Sequence, residues 1–329
     1  MVYSFHKYWN GTAINSVQYL LDIRNDYNTP LWLGETGENS NVWFHDVIEL
    51  MEEHDIGWNI WTHKKIETTT SPLSAPFAPG YERVLDYWRG NATKPTAEFA
   101  RDALFAMAEG LDLDSSDARP GMLASLLDST YRSLRLPFKD HVIPGTINAV
   151  DYDLGNQFTT YFDSDVSATT GSPGGGNNGT KYRNDGVDIE VSTDPLGFKY
   201  NVGWTNTLEF LTYTVTVETS GIYNIEARVA SDVGGGSFQL LIDDVQIGSN
   251  LTVTDTGGWQ NWITVSLSGI ELTAGEHILK MAVRAGDFNL NTLKFELVTA
   301  TGIEENDLPL GDGTYVYPNP SANAFAVNF

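Results

Sequence analysis

The pattern of apolar residues changes near Ile143-Pro144-Gly145, and this change constrains the fold more than any other feature of the chain. Upstream, short apolar runs alternate with stretches in which apolar residues recur every three or four positions. Downstream, apolar and polar residues alternate one by one, as at Leu211, Tyr213 and Val215. Helices bury residues with a period of 3.6 and strands with a period of 2. The sequence therefore predicts strand–helix units followed by an antiparallel β-sandwich.

The upstream half begins with three short strand-like runs, over residues 2–9, 30–38 and 55–61. Helical patterns separate these runs. The first pattern starts at Thr12, a suitable N-cap, and the second starts at Asn41. This order of elements indicates right-handed βαβ units and a parallel sheet.

A carboxylate ends the second apolar run. Glu35 directly follows Leu31-Trp32-Leu33-Gly34, and Glu38 lies three residues further along. Parallel strands of an α/β barrel present their functional groups at their carboxyl ends. Glu35 is therefore the candidate catalytic residue, whereas Glu38 fits a solvated or capping carboxylate.

Three motifs of this half resemble the last three strands of a glycoside hydrolase family 5 barrel of the cellulase type. They are Phe5-His6-Lys7-Tyr8, Trp32-Leu33-Gly34-Glu35-Thr36-Gly37-Glu38 and Gly57-Trp58-Asn59-Ile60-Trp61. The resemblance covers residues 1–140 and implies a partial (β/α)8 TIM barrel, made of its last three β/α units. It also implies that Glu35 is the nucleophile, that His6 and Tyr8 border the cleavage subsite, and that Trp61 supports the sugar ring.

The second carboxylate of such a site is absent from the sequence. A retaining glycosidase needs two carboxyl groups about 5 Å apart, one as nucleophile and one as acid/base. Members of the family carry the acid/base in an Asn-Glu-Pro run, and no such run occurs here. We expect the C-terminal part of a larger retaining endo-glycosidase, inactive on its own. The alternatives are a non-catalytic carbohydrate-binding or adhesion protein, and a barrel assembled from two chains.

Three helical stripes follow the third strand. They span residues 81–88, 99–107 and 123–134, and their apolar members include Trp88, Phe99 and Leu104. Apolar residues at helical spacing usually face a core. We expect these side chains to be buried beneath outer helices of the barrel.

The downstream half resembles a family 6 carbohydrate-binding module over residues 141–298, which implies an all-β jelly-roll sandwich. The motifs are Tyr182-Arg183-Asn184-Asp185-Gly186-Val187-Asp188-Ile189-Glu190, Val202-Gly203-Trp204, Gly257-Gly258-Trp259-Gln260-Asn261-Trp262 and Phe288-Asn289-Leu290-Asn291. The resemblance implies that Tyr182 and Trp259 sandwich a sugar while Asn289 bonds its hydroxyls. Trp204 and Trp262 stand within strand-like alternation, and we expect them in the core.

Many members of the family that this half resembles hold a structural calcium ion. Asn148 and Val150 stand where the family usually has acids, so we expect no required cofactor and no metal site, with calcium at Asp151 or Asp153 as the open alternative. The glycine-rich run 171–176 lacks a following Lys-Ser/Thr and indicates a loop rather than a phosphate site.

Composition limits the partners. The 329 residues include 19 basic and 43 acidic side chains, a net charge of −24, and no cysteine. This charge disfavours nucleic acid and anionic membranes, and it suits a neutral polysaccharide. No apolar run is long enough for a membrane span, and the N-terminus lacks a secretory signal.

The C-terminal residues form an acidic linker, 299–313, and a segment, 314–329, that resembles the start of a type IX secretion sorting domain. The motif is Tyr315-Val316-Tyr317-Pro318-Asn319-Pro320. This resemblance implies a secreted or cell-surface parent protein that meets the secretion machinery through its C-terminus.

Overall fold

The computed structural model describes residues 1–164, 182–301, 317–319 and 324–326. The chain forms a small α/β unit followed by an antiparallel β-sandwich. The glycine-rich run 171–176 lies outside the described residues, as does most of the segment after residue 301. Of that last segment, β21 (Tyr317–Asn319) pairs antiparallel with β22 (Ala324–Ala326), and the sorting-domain assignment stays a prediction.

The α/β unit contains the predicted parallel sheet. Its elements are β1 (Tyr3–Lys7), α1 (Gln18–Tyr27), β2 (Leu31–Thr36), α2 (Asn41–Glu53) and β3 (Gly57–Ile60), with strand order β1-β2-β3. Leu33, Phe44 and Val47 are fully buried between sheet and helices. The apolar stripes that predicted these helices therefore pack as expected, against the sheet.

Helix α1 begins later than the sequence predicted, whereas α2 begins where it was expected. A 3₁₀ turn over Ile14–Ser16 precedes α1, and the N-cap is Val17 rather than Thr12. Helix α2 begins at Asn41 as predicted, and its cap is Ser40, whose Oγ accepts a hydrogen bond from Trp43 N at 3.3 Å. The cap satisfies one of the free N–H groups of the first turn.

The three parallel strands do not close into a barrel within the described residues. In the strand order, β1 and β3 are the two edges. A second small sheet follows, β4 (Lys64–Ile66), β5 (Leu73–Ala75) and β6 (Asp117–Ala118), with β4 parallel and β6 antiparallel to β5. A βαβαβ unit fits a piece of a TIM barrel and also fits other α/β sheets, so the partial barrel stays a prediction.

The helices after β5 correct one sequence expectation. They are α3 (Tyr81–Trp88), α4 (Ala97–Gly110) and α5 (Pro120–Leu127). Trp88 is 59% exposed, and Phe99 and Leu104 are also exposed, although their spacing predicted burial. Helices α3 and α4 pack against each other, and Val84, Ala103 and Met107 are their buried residues. The Phe99 ring lies 5.7 Å from the Arg83 guanidinium carbon and is only partly covered, and most of the Trp88 surface is left in solvent.

Two six-stranded sheets form the sandwich, as the alternation predicted. The first follows the order β11 (Tyr161–Phe162), β14 (Phe210–Val217), β19 (Gly275–Ala285), β16 (Gly236–Ile242), β17 (Val245–Val253), with β8 (His141–Ile143) beside β14. The second follows β12 (Ile189–Val191), β13 (Tyr200–Val202), β20 (Asn289–Ala300), β15 (Gly221–Ser231), β18 (Gly258–Leu272), with β9 (Gly145–Asn148) beside β20. β7 (Arg135–Leu136) and β10 (Leu154–Gly155) form a separate pair. Tyr213, Ile225 and Phe295 lie in the core between the two sheets.

A buried polar network joins the sandwich to the α/β unit. Asn184 Nδ2 donates to Asn39 O at 2.7 Å and to Asn41 Oδ1 at 3.1 Å. Asn41 Nδ2 donates to Asp185 Oδ1 at 2.9 Å, and Asn41 N donates to Asn184 O at 2.8 Å. Beside this network, Val42 packs against the sandwich core. The loop that follows Glu38 is therefore held by the sandwich.

Candidate functional sites

The carboxyl ends of β1 and β2 bring three predicted catalytic-site residues together. Tyr8 Oη donates to Glu35 Oε2 at 3.3 Å, and His6 Nδ1 lies 3.4 Å from the same oxygen. The Glu35 side chain is one third exposed, and Trp61 beyond the end of β3 is exposed. A Cβ added to Gly37 would lie 2.0 Å from Trp61 O, so only glycine allows this close approach. Glu38 pairs with Lys65 Nζ at 2.9 Å.

The tyrosine hydroxyl of this group is held in its neutral form. Burial raises the pKa of Tyr8 to about 12, with further contributions from the Glu35 charge and from the hydrogen bond to Glu35. A neutral phenol donates, and a carboxylate accepts. The phenol can therefore orient the Glu35 carboxylate, whose side chain is one third exposed.

Lys7 lies between His6 and Tyr8 and has an unusual environment. Its ammonium donates to Asn10 Oδ1 at 2.6 Å, Gly11 O at 2.7 Å and Ser16 Oγ at 2.9 Å. The side chain is buried, and these three partners of its ammonium are all uncharged. Burial lowers the pKa of Lys7 to about 8.

The lowered pKa of Lys7 predicts a pH dependence of stability. Between pH 8 and 10.5 the unfolded chain binds more protons at this lysine than the folded chain. The free energy of unfolding of the wild type, relative to Lys7→Met, should therefore rise over this range and level off above it. Urea titrations across the range measure this difference. Lys94→Met, at an exposed lysine, should show no such trend; a falling difference for Lys7→Met would contradict the assignment.

A second site is a cleft of about 380 Å³ at one loop end of the sandwich. Its walls come from β12, from the loop after β13, and from the starts of β18 and β20. The lining residues are Glu190, Trp204, Thr205, Asn206, Trp259, Asp287 and Asn289. Trp204 is 52% exposed and Trp259 is 40% exposed. Two large indoles thus present their surfaces to solvent at the cleft.

Asn289 lies at the base of this cleft and is only 3% exposed. Its Nδ2 donates to Glu190 Oε1 at 2.8 Å and to Trp259 O at 2.7 Å. Glu190 Oε1 also accepts from Gln260 Nε2 at 2.7 Å and Asn201 Nδ2 at 3.3 Å. The amide therefore links β12, β18 and β20 and fixes the position of Trp259.

The loop that carries Trp204 is equally well fixed. Thr205 Oγ1 donates to Phe288 O at 2.7 Å, and Asp287 N donates to Thr205 O at 2.9 Å. A Cβ on Gly203 would lie 2.8 Å from Asn289 Oδ1, so the glycine lets the loop pass directly over the amide. The cleft is therefore formed in advance of any ligand.

The structure brings two of the three predicted sugar-binding residues together. Trp259 and Asn289 share the cleft, whereas Tyr182 lies elsewhere. The Tyr182 ring packs 5.1 Å from Tyr200 and 5.6 Å from Phe138, between ring centroids, and its hydroxyl donates to Asp151. Burial, followed by that hydrogen bond, raises the pKa of the Tyr182 hydroxyl.

Trp204 is the residue that the sequence interpretation assigned to the core and that the structure places in the cleft. Strand β13 ends at Val202, and Trp204 has a φ of 48°. This turn conformation takes the side chain out of the strand alternation. Gly203 is the sequence feature that could have indicated this turn, because glycine often marks turns. Trp262 is half-buried, and its indole N–H donates to Gln260 Oε1.

The carboxylates considered for calcium are engaged with protein donors. Asp151 Oδ2 accepts from Asn148 Nδ2 at 2.7 Å, and Asp153 accepts from Thr214 N and Oγ1. Calcium needs several oxygen ligands, and its binding at Asp151 or Asp153 stays a prediction. Across the described ranges, no group of three or more His, Cys, Asp or Glu is placed to hold a metal ion.

No helix within those ranges has the length and apolarity to cross a membrane.

An antiparallel β-sandwich with a preformed, tryptophan-lined cleft at a loop end is the architecture of a sugar-binding module. Residues 178–297 match the family model described as carbohydrate binding module, family 6. The match lies within the sandwich and supports a family 6 carbohydrate-binding module there.

Individual proteins show the same likeness. The chain is 35% identical over 113 residues to the clotting factor G alpha subunit of Tachypleus tridentatus, and this match spans 33% of the chain but only 16% of that protein. Among solved structures, a carbohydrate-binding module of Cellvibrio mixtus lichenase 5A, in complex with cellotriose, is 28% identical with a TM-score of 0.36, covering 47% of this chain and 98% of that one. The C-terminal family 6 module of a laminarinase from Zobellia galactanivorans is 34% identical with a TM-score of 0.31, covering 33% and 86%.

Proposed function

We propose that the chain binds a polysaccharide in the cleft between Trp204 and Trp259. A pyranose has apolar C–H faces, which stack on indole rings, and a polar rim, which takes directed hydrogen bonds. The observation that carries the proposal is the buried Asn289 amide, held between Glu190 and Trp259 at the base of the cleft. β-Glucans and xylans are the polymers that the resemblance to family 6 modules suggests.

The proposal predicts the effect of removing one ring. Calorimetric titration with xylo-, cello-, laminari- and agaro-oligosaccharides should show saturable binding of at least one series. Trp259→Ala should weaken it at least about tenfold, because truncating a central aromatic contact in an interface costs 2 kcal/mol or more.

The matched control is Trp88→Ala, which removes another exposed tryptophan, on α3 of the α/β unit. Its affinity should equal that of the wild type. Equal weakening by both substitutions, or unchanged binding in Trp259→Ala, would contradict the assignment of the cleft.

We also propose that the parent protein is a secreted retaining endo-glycosidase in which Glu35 attacks the anomeric carbon. The support is the grouping of Tyr8, His6 and Glu35, with Trp61 exposed nearby. In the displacement the Glu35 oxygen forms a bond to the anomeric carbon while the leaving oxygen takes a proton from the acid/base. The competing function is a carbohydrate-binding or adhesion protein whose α/β unit has no catalytic role.

A reducing-sugar assay separates these functions. The present chain should release no reducing ends, because it has no Asn-Glu-Pro acid/base. A longer reading frame that supplies such a run should yield an active protein, and Glu35→Gln should abolish that activity. Release by the present chain that disappears in Glu35→Gln would show that a proton donor is already present; full activity of a longer Glu35→Gln protein would remove Glu35 from the mechanism.

A further inference from the structure

The orientation of the Asn289 amide determines which hydrogen-bonding group it offers to a ligand. Both partners of Nδ2, the Glu190 carboxylate and the Trp259 carbonyl, can only accept hydrogen bonds. The NH₂ group must therefore point toward them. Asn289 Oδ1 accepts no hydrogen bond from the described residues, although the residue as a whole is only 3% exposed. The base of the cleft thus holds an acceptor oxygen that receives no donor from the described residues.

Glu190 adds a second acceptor, and this one is charged. Its Oε1 receives three hydrogen bonds, from Asn289, Gln260 and Asn201, whereas its Oε2 receives none from the described residues. Asp287 also lines the cleft, with an exposed side chain and no cationic partner there. None of the described residues lining the cleft is basic.

This arrangement discriminates between sugars by charge. An anionic sugar would bring its carboxylate against two carboxylates with no compensating cation. A protonated amine would instead form charge-assisted hydrogen bonds with Glu190 or Asp287, and it would also be attracted to the faces of the two indoles. A metal ion is a poorer occupant, because the described residues provide no group of three metal-binding side chains.

We propose that the cleft takes an amino sugar, a pyranose carrying a protonated amine, in preference to the corresponding neutral sugar, and that it excludes uronic acids. The inference rests on the proposed function, namely that this cleft is the sugar-binding site. Glu190 and Asp287 are the specificity-determining residues, whereas Trp204, Trp259 and Asn289 serve any pyranose.

The test is calorimetric titration of the full chain with three oligosaccharides of equal length. These are β-1,4-linked glucosamine, cello-oligosaccharide and oligogalacturonate, in low-salt buffer below the pKa of the sugar amine. We expect the glucosamine oligomer to bind at least about fivefold more tightly than the neutral one, and the uronate not to bind. The ratio of the affinities for the glucosamine and the neutral oligomers should fall toward one in high salt, because salt screens charges at an open cleft.

Two substitutions test the residues. Asp287→Asn and Glu190→Gln should each reduce the preference for glucosamine while changing cello-oligosaccharide affinity less. Glutamine at 190 can keep the Oε1 contacts. The matched control is Glu271→Gln, at an exposed position near the far end of β18, roughly 40 Å from Trp259 along the strand. It should leave the preference unchanged.

The outcomes separate the inference from the function on which it rests. Equal affinity for the amino and neutral oligomers, or binding of the uronate, overturns the inference alone. Glucosamine binding that survives Trp259→Ala would arise from the overall charge of −24 and would also overturn it. If no oligosaccharide binds, or if Trp259→Ala leaves neutral-sugar binding intact, the proposed function fails and the inference fails with it.

Discussion

Replacing Arg183 by methionine is expected to lower the free energy of unfolding by roughly 3–5 kcal/mol, the range measured when one partner of a buried ion pair is removed. The Arg183 side chain is 1% exposed, as is that of its partner Asp185. Its Nε donates to Asp185 Oδ2 at 2.8 Å, and its Nη1 donates to Val150 O at 3.0 Å. Methionine fills much of the volume and makes none of these bonds.

The cost has two physical parts. The Asp185 carboxylate would stay buried without its cation, and backbone carbonyls that now accept from the guanidinium would lose a donor. The guanidinium is also stacked, with Cζ 3.7 Å from the Tyr152 ring centroid and 4.2 Å from that of Phe138. These cation–π contacts would be lost as well.

Urea denaturation monitored by fluorescence measures the change. The control is Arg101→Met, which removes the same side chain from an ion pair with Asp102 in which both partners are more than half exposed. That substitution should cost less than about 1 kcal/mol. A loss at Arg183 no larger than the loss at Arg101 would show that the buried pair does not hold this end of the sandwich.

Asn41→Ala is expected to cost roughly 2–4 kcal/mol and to weaken the coupling between the α/β unit and the sandwich. The substitution removes the hydrogen bond to the charged Asp185 carboxylate, and bonds to charged groups contribute about 1.5–3 kcal/mol. It also leaves Asn184 Nδ2 without one of its two acceptors. Because the network is buried, water replaces neither bond without rearrangement.

Differential scanning calorimetry distinguishes loss of coupling from uniform destabilisation. The wild type should unfold in one transition, and Asn41→Ala should show two, with the α/β unit melting first because its sheet has open edges. Asn91→Ala, at an exposed asparagine after α3, should leave the curve unchanged. Two well-separated transitions in the wild type would mean that the network does not couple the units.

Local periodicity predicted the secondary structure correctly where burial is one-sided. The alternation over Phe210–Val217 and Gly221–Ser231 predicted strands of the sandwich, because every second residue must face the core. The apolar spacing from Asn41 predicted α2 for the corresponding reason. Helical spacing also placed Trp88 on an apolar stripe, but spacing alone does not determine whether another element covers that stripe, and Trp88 is exposed.

Among the site residues, the apolar pattern placed Glu35 at the end of a strand, and the resemblance of the downstream motifs to a family 6 module predicted Tyr182, Trp259 and Asn289 as partners. The tertiary structure decided the rest. A positive φ turns Trp204 into the cleft, a ring cluster holds Tyr182 away from it, and two hydrogen bonds from Nδ2 orient the Asn289 amide. These features arise from contacts between strands far apart in the chain. The sequence determines which groups are available, whereas packing determines which of them meet and which atoms they leave free for a ligand.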